Sequence, residues 1–407
     1  MPDAGDPSLL ASAGDASAGP SRPSAGDASS GPARPTAGEA SDSPSLLSSG
    51  DASGGPALLV SAGEASGDRF AAAVVRALGR PSFGLGGAAL AASGASLVAR
   101  LERVTGTGLG PAIAAAPRLL GVARSLLREV EARGTRAALL VDFTEFHRRL
   151  GPLLRRRGVR VLWAVAPQVW AWRPGRVFTL APALDRLALL FDFEEPLWRR
   201  AGVDARWVGH PAADVAPASR DEARRAAGLD AGPPALALLP GSRPNEVRRL
   251  LPALLGALDR ARARRPDLRA RVLLAPSLPA ELARGVRRTA LAHDAAPVDV
   301  DEARGLAALL PAFDAAICAS GTATLEAALC DVPPVITYRL GPASAALARL
   351  LLRGEHVGLP NVLLGRRAYP ELLQGAARPD ALANAALALL ERPPASNAAR
   401  LRERLKP

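Results

Sequence analysis

From residue 56 onward, short apolar runs recur along the chain, and many of them are followed by a turn of small residues and then a helical pattern. Strands are predicted at Ala57–Ser61, Ala137–Asp142, Arg160–Ala164, Arg186–Leu190, Ala205–Val208, Ala235–Leu239, Arg271–Ala275, Ala315–Cys318 and Pro334–Tyr338. Apolar positions at helical spacing predict helices at Arg69–Leu78, Leu119–Arg133, Asp221–Gly228, Glu246–Arg264, Glu302–Leu310 and Thr324–Leu329. Alternating elements with apolar strands imply an α/β fold whose parallel sheets are covered on both faces. The run SRDEARRAAGLDAGPP (Ser219 to Pro234) reads as a capped helix followed by a Gly/Pro-rich connection, which puts a domain boundary at about residue 215. Two Rossmann-like domains, 56–215 and 216–407, are then expected to face each other across a cleft. In such sheets ligands sit outside the carboxyl ends of the strands.

Residues 1–55 lack this pattern. They repeat SAGDASAGP, SAGDASSGP, TAGEASDSP and SSGDASGGP from Ser12, Ser24, Thr36 and Ser48. Segments of Ala, Gly, Ser, Asp and Pro cannot bury enough apolar surface, so a disordered tail is expected. A fifth similar string, SAGEASGDR from Ser61, alone lies between a strand-like run and a helical one, which makes it the functional candidate.

Composition narrows the function classes. With 48% hydrophobic residues in 407, the chain can form two sizeable cores. Cys318 and Cys330 lie in apolar surroundings and read as buried small hydrophobes in a reducing compartment. No apolar run reaches the length of a membrane span, and the start MPDAGDPS lacks the charge and apolar core of a secretory signal, so a cytoplasmic protein is expected. A formal net charge of +12 suits an anionic partner, either a membrane surface or a phosphorylated substrate. The arginines are scattered along helices without interleaved aromatics, so nucleic acid is not an expected partner.

Two turns have the chemistry of a diphosphate site. In FDAAICASGTATLE (Phe313 to Glu326) a strand breaks into Ser320-Gly321-Thr322 before a helix that carries Glu326 one turn in. A helix start presents free N–H groups and a positive dipole end to phosphate, and Glu326 is placed to meet ribose hydroxyls. The same letters also fit an ordinary capped helix. In LALLPGSRPNEVRRLLP (Leu236 to Pro252), Arg243 sits in a strand–helix turn where its planar fork can clamp phosphate oxygens. In VDFTEFHRRL, Asp142 ends a strand and is followed by Glu145 and His147. Such a carboxylate can act as a general base or simply cap the next helix. In VAPQVWAWRPGRV, Trp170 and Trp172 with Arg173 and Arg176 suit a sugar face, an acyl chain, a phosphate or an inter-domain plug. Asp299-Val300-Asp301 has the letters of a metal clamp, but Asp301 reads better as a helix cap; the four histidines lack metal-ligand spacing.

Taken in order, the blocks SAGEASGD at Ser61, VDFTEFHRRL at Val141, APQVWAWRPGRV at Ala166, VGHPAAD at Val208, LLPGSRPNEV at Leu238, ASGTATLEAAL at Ala319, YRL at Tyr338 and GLPNVLLGRRAYPELLQ at Gly358 resemble the lipid-A-disaccharide synthases, two-Rossmann glycosyltransferases of the GT-B type. The resemblance implies transfer of 2,3-diacylglucosamine from its UDP derivative onto 2,3-diacylglucosamine 1-phosphate, with inversion and with no cofactor or metal. It implies UDP contacts from Arg243, Glu246, Ser320, Gly321, Thr322, Glu326, Asn361 and Gln374. Acceptor contacts would come from Gly63, Glu64, Ser66, Gly67, Asp68, Trp170 and Arg173, and catalytic carboxylates from Asp142 and Glu145. The family's second motif usually reads Ile-Asp-Ala-Pro-Asp-Phe-Asn; here Phe143-Thr144-Glu145-Phe146-His147 fills its later positions. A peripheral site on the inner face of the inner membrane follows from the acylated substrates, with Val104–Leu127 and Leu347–Arg353 as contact segments. Homodimer formation is left open. Another UDP-sugar transferase or epimerase, or a catalytically weak UDP- or lipid-binding protein, remains the alternative reading.

Overall fold

The computed structural model describes residues 56–101, 112–172, 174–301, 304–341 and 355–407, so the expected tail lies outside the described residues. The first sheet contains β1 (Leu58–Ala62), β2 (Ser82–Gly86), β3 (Ser96–Arg100), β4 (Ala137–Val141), β5 (Arg160–Ala164), β6 (Arg186–Leu189) and β7 (Asp204–Trp207). The second contains β8 (Ala235–Leu239), β9 (Arg269–Leu274), β10 (Ala296–Asp299), β11 (Ala315–Ala319), β12 (Pro334–Tyr338) and β13 (Glu371–Leu373). Strand orders are β3-β2-β1-β4-β5-β6-β7 and β10-β9-β8-β11-β12-β13, with every pairing parallel. Around the first sheet lie α1 (Ala65–Leu78), α2 (Ala88–Ala92), α3 (Ala112–Ala132), α4 (Thr144–Arg155), α5 (Val169–Trp172), α6 (Val177–Leu180) and α7 (Glu195–Arg199). Around the second lie α8 (Arg220–Ala226), α9 (Pro244–Arg264), α10 (Ala280–Ala292), α11 (Thr322–Leu329), α12 (Leu359–Leu364), α13 (Pro379–Glu391) and α14 (Ala398–Leu405).

The apolar runs are continuous because both faces of each sheet are covered. In β8, Leu236 and Leu238 pack into the core beneath α9 and α13, while Ala235, Ala237 and Leu239 pack into the core on the opposite face. Successive side chains point to opposite faces, so a strand buried on both loses its polar alternation. In the first sheet Leu59 and Leu140 face one core, and Val60, Leu139 and Val141 the other. A further cluster joins Leu190 and Phe191 to Leu325, Leu329, Leu401 and Leu405. There α14 returns to the segment after β7, and the Leu405 carbonyl accepts the His210 N–H at 2.9 Å.

Four strands escape the apolar pattern. In β2 the run is diluted by Gly84 and Gly86. Gly84 cannot be replaced, because a Cβ there would lie 1.8 Å from the Val60 carbonyl oxygen. Strands β3, β10 and β13 are edges, exposed or half-buried and short. The expected helix Glu302–Leu310 is corrected. Residues 302–303 lie outside the described residues, Gly305 has φ +62°, and 3₁₀ turns follow at Leu306–Ala308 and Leu310–Ala312. Asp301 closes the turn by accepting the Arg304 N–H at 2.7 Å. Asp299 pairs with Arg287, and among the described residues no cluster of three His, Cys, Asp or Glu side chains could hold a metal. Ser219 and Glu222 form a capping box at the start of α8. No described helix is long and apolar enough to cross a membrane.

Candidate active site

In each sheet the strand order reverses between its first and fourth strands, at β1/β4 and at β8/β11. These are switch points, where the loops leaving adjacent strands diverge and open a crevice. The singled-out motifs leave those four strands. The helices that follow them start at Glu64, Phe143, Arg243 and Gly321, and none of these N-caps bonds its own helix through a side chain. First-turn N–H groups are therefore left for a ligand. A Cβ on Gly321 would meet nothing within 4 Å, so the start of α11 is open. Thr322 is exposed, and Ser320 is half-buried with its hydroxyl 3.5 Å from the Val357 carbonyl.

Arg243 joins the two switch points. Its Nη2 lies 2.9 and 3.1 Å from the Glu64 carboxylate oxygens, and its Nη1 lies 3.3 Å from Glu246. Tyr338 donates to the same Glu246 oxygen at 3.0 Å. Burial opposes the guanidinium charge, but the Glu64 and Glu246 carboxylates more than offset it. Asp142 belongs to the same electrostatic cluster. Burial pushes its carboxyl above the usual range and the Glu64 charge adds to this, while the Phe143 N–H and Arg243 oppose it. Gly63 lets the two loops meet, since a Cβ there would sit 2.2 Å from the Phe143 Cβ. Gly67 lies against Val141 and Asp142, and Ser66 is exposed.

His147 sets the backbone at Asp142. It is fully buried, with Nδ1 2.5 Å from the Asp142 carbonyl and Nε2 2.8 Å from the Ser61 hydroxyl. A carbonyl only accepts, so Nδ1 carries the proton and Nε2 accepts from Ser61. Desolvation pushes this imidazole down to about 3, so it is neutral. It spans the turn in which Asp142 and Phe143 both adopt positive φ, +55° and +53°. Held strain of that kind clusters at functional sites.

Several expected contacts take other roles. Asp68 is buried and accepts the N–H groups of Gly87 at 2.7 Å and Ala89 at 2.9 Å, so it caps α2 rather than facing an acceptor. Asn361 is buried and saturated. Its amide donates to the Tyr369 carbonyl and to Glu371, and its oxygen accepts from Ala368 and Tyr369. It braces its own loop and has no hydrogen bond left for a nucleotide. Glu145 is exposed and clamped by Arg148 at 2.7 Å and Arg176 at 2.6 Å, which hold it below the usual carboxylate range. Gln374 accepts the Leu340 N–H at 3.1 Å. Glu326 is desolvated and pushed upward, with Arg69 of the first sheet's α1 opposing that shift. The Trp170 ring packs edge-on against Phe193 at 5.2 Å, and Arg173 lies outside the described residues.

Of the expected membrane contacts, 104–111 and 347–353 also lie outside the described residues; α3 exposes Leu120 but buries Leu126 and Leu127. The sequence does not single out Tyr338, which bonds Glu246, or Arg69, which acts on Glu326, as members of this cluster. Tyr338 ends an apolar strand, the same signal that marked Asp142, whereas Arg69 carries no local signal.

Two parallel sheets, each with its switch point on one shared cleft, define a two-Rossmann α/β protein of the GT-B type. The same fold is seen in a UDP-GlcNAc 2-epimerase from Neisseria meningitidis solved with UDP-GlcNAc, with a TM-score of 0.59 at 10% identity, covering 86% of this chain and 94% of that one. The chain belongs to the lipid-A-disaccharide synthetase family, whose model matches residues 58–405. It is 42% identical over 329 residues to the lipid-A-disaccharide synthase of Myxococcus xanthus (strain DK1622), and 41% over 331 residues to that of Anaeromyxobacter sp. (strain K). Both alignments cover 79% of this chain and 84% of the relative.

Proposed function

We propose that this protein is an inverting glycosyltransferase that moves 2,3-diacylglucosamine from UDP onto the 6-hydroxyl of 2,3-diacylglucosamine 1-phosphate, releasing UDP. One observation carries the reading: a desolvated carboxylate, Asp142, lies in one electrostatic cluster with a guanidinium, Arg243, held across the cleft. In the reaction the acceptor oxygen attacks the anomeric carbon, its proton passes to Asp142, and the carbon–oxygen bond to the diphosphate breaks with its electron pair leaving on UDP. Arg243 and the open start of α11 meet the charge that builds there, where preorganised donors act most strongly. Ser320, Gly321 and Thr322 belong to that phosphate site and Glu326 to the ribose, while Glu246 and Tyr338 aim Arg243. Gly63, Glu64, Ser66 and Gly67 line the acceptor side. Glu145, already paired twice, orients Arg176. The acylated substrates place the work at the inner face of the inner membrane, and the net charge of +12 favours an anionic surface.

The test supplies purified protein with both acylated substrates. Disaccharide 1-phosphate and UDP are expected, and Asp142→Asn should lower turnover at least a thousandfold while UDP still binds. UDP binding without turnover in the native chain would mark a binding protein, and inversion at the sugar's C2 an epimerase.

A further inference from the structure

A small cavity of about 70 Å³ lies beside Thr322, lined from the first sheet's side by Val165, Gln168, Glu194 and His210. Its polar groups are unusual. Glu194 is buried, and the Phe191 backbone and the Trp170 indole both lie against its carboxyl. The buried Trp170 indole nitrogen has no hydrogen-bond partner, although its N–H dipole acts on that carboxyl. His210 is buried and stacked on Phe191, and its Nδ1 accepts the Ala212 N–H at 3.1 Å. A neutral imidazole bonded in this way carries its proton on Nε2, which meets no acceptor among the described residues. Val165, a β-branched residue, is held at φ +64° where the chain turns into the cavity.

We infer that Glu194 and His210 form a subsite that donates hydrogen bonds to a free hydroxyl of the donor sugar. The inference rests on the donor reading above. Three observations select that ligand. Thr322 lines the cavity and opens α11, so a sugar linked to a diphosphate on that helix start is carried to the cavity mouth. Desolvation pushes Glu194 up to about 8 and His210 down to about 4, so both are uncharged donors near neutrality and offer nothing to offset an anion. The size also decides, because at about 10–15 Å³ per water the cavity holds a few small groups and not a fatty acyl chain. A donor acylated at positions 2 and 3 keeps its 4- and 6-hydroxyls free.

The test measures donor KM and, separately, affinity for UDP alone in the full chain. Glu194→Leu should raise donor KM at least tenfold while UDP affinity stays within twofold. Glu194→Gln, which keeps a donor in place, should cost only about threefold. A folded Glu194→Leu protein with native donor KM would overturn the subsite. Should that variant fail to fold, the native protein is given 4-deoxy and 6-deoxy donors. Discrimination of at least tenfold against one of them is expected, and equal use of both overturns the proposal. Failure of the native protein to bind UDP would instead sink the donor reading, and the subsite with it.

Discussion

Arg243 has three polar contacts and none is wasted. Glu246, itself held by the Tyr338 hydroxyl, bonds one side of the guanidinium, and the two Glu64 oxygens occupy the face that the proposed phosphate would take. A hydrogen bond between charged groups is worth about 1.5–3 kcal/mol. Arg243→Ala should therefore weaken UDP binding roughly 10- to 100-fold by calorimetry; unchanged affinity removes it from the phosphate site. Glu64 also acts on Asp142, because its negative charge disfavours ionisation there. The acidic limb of the pH–rate profile should lie above the ordinary carboxylate range, and Glu64→Gln should move it to lower pH. A limb that stays put would detach Glu64 from the base. Residues also show where letters mislead. Asp68 and Asn361 match ligand-binding motifs, yet a sequence cannot reveal whether a polar side chain is spent on its own backbone. Glu194 was hidden for the opposite reason: FDFEEP looks like an acidic surface turn, and only the packing of Phe191 and Trp170 buries it.

At the scale of elements, legibility followed burial. Strands covered on both faces, such as β8 and β12, have continuous apolar runs and were predicted at their observed limits. The edge strands β3, β10 and β13 and the glycine-diluted β2 have no such pattern, because their shape is set by neighbours. The loops of the candidate site are legible because all leave apolar strands through small or charged residues. Helix α4 carries a sharper constraint. A Cβ on its Gly151 would lie 1.9 Å from the Ala183 carbonyl oxygen. Gly151→Ala must push the helix away from that turn, and overpacking of this kind costs about 1–3 kcal/mol. Because α4 begins at the Asp142 turn, turnover should fall together with the urea midpoint; loss of stability alone would show that the turn is insulated from the helix.

The whole molecule repeats one topology, so its ligand-bearing ends fall at matching places in the two sheets. Its stability should depend on pH through buried groups, His147, His210 and Glu194 foremost. His147 and His210, at about 3 and about 4 in the fold, titrate near 6.5 when unfolded. Their contribution is present above pH 6.5 and is lost as pH falls through the folded values, at about 1.4 kcal/mol per unit for each. Glu194, at about 8 in the fold against 4.5 unfolded, works oppositely, and its contribution is lost as pH rises through 8. Asp142 and Glu326, also raised by burial, act in the same direction as Glu194. Urea midpoints should therefore decline as pH falls below about 4.5, where only the histidines still titrate, and decline again as pH rises from 6.5 through 8. A flat profile from pH 5 to 8 would show these groups to be solvated.

The bridge between Glu64 and Arg243 bears on how the catalytic cycle closes. When spent nucleotide departs, the guanidinium is not abandoned to solvent, since a carboxylate stands ready to take its place. In the proposed reaction, exit of UDP from Arg243 is then an exchange of one anion for another, and the resting protein is restored in the same movement.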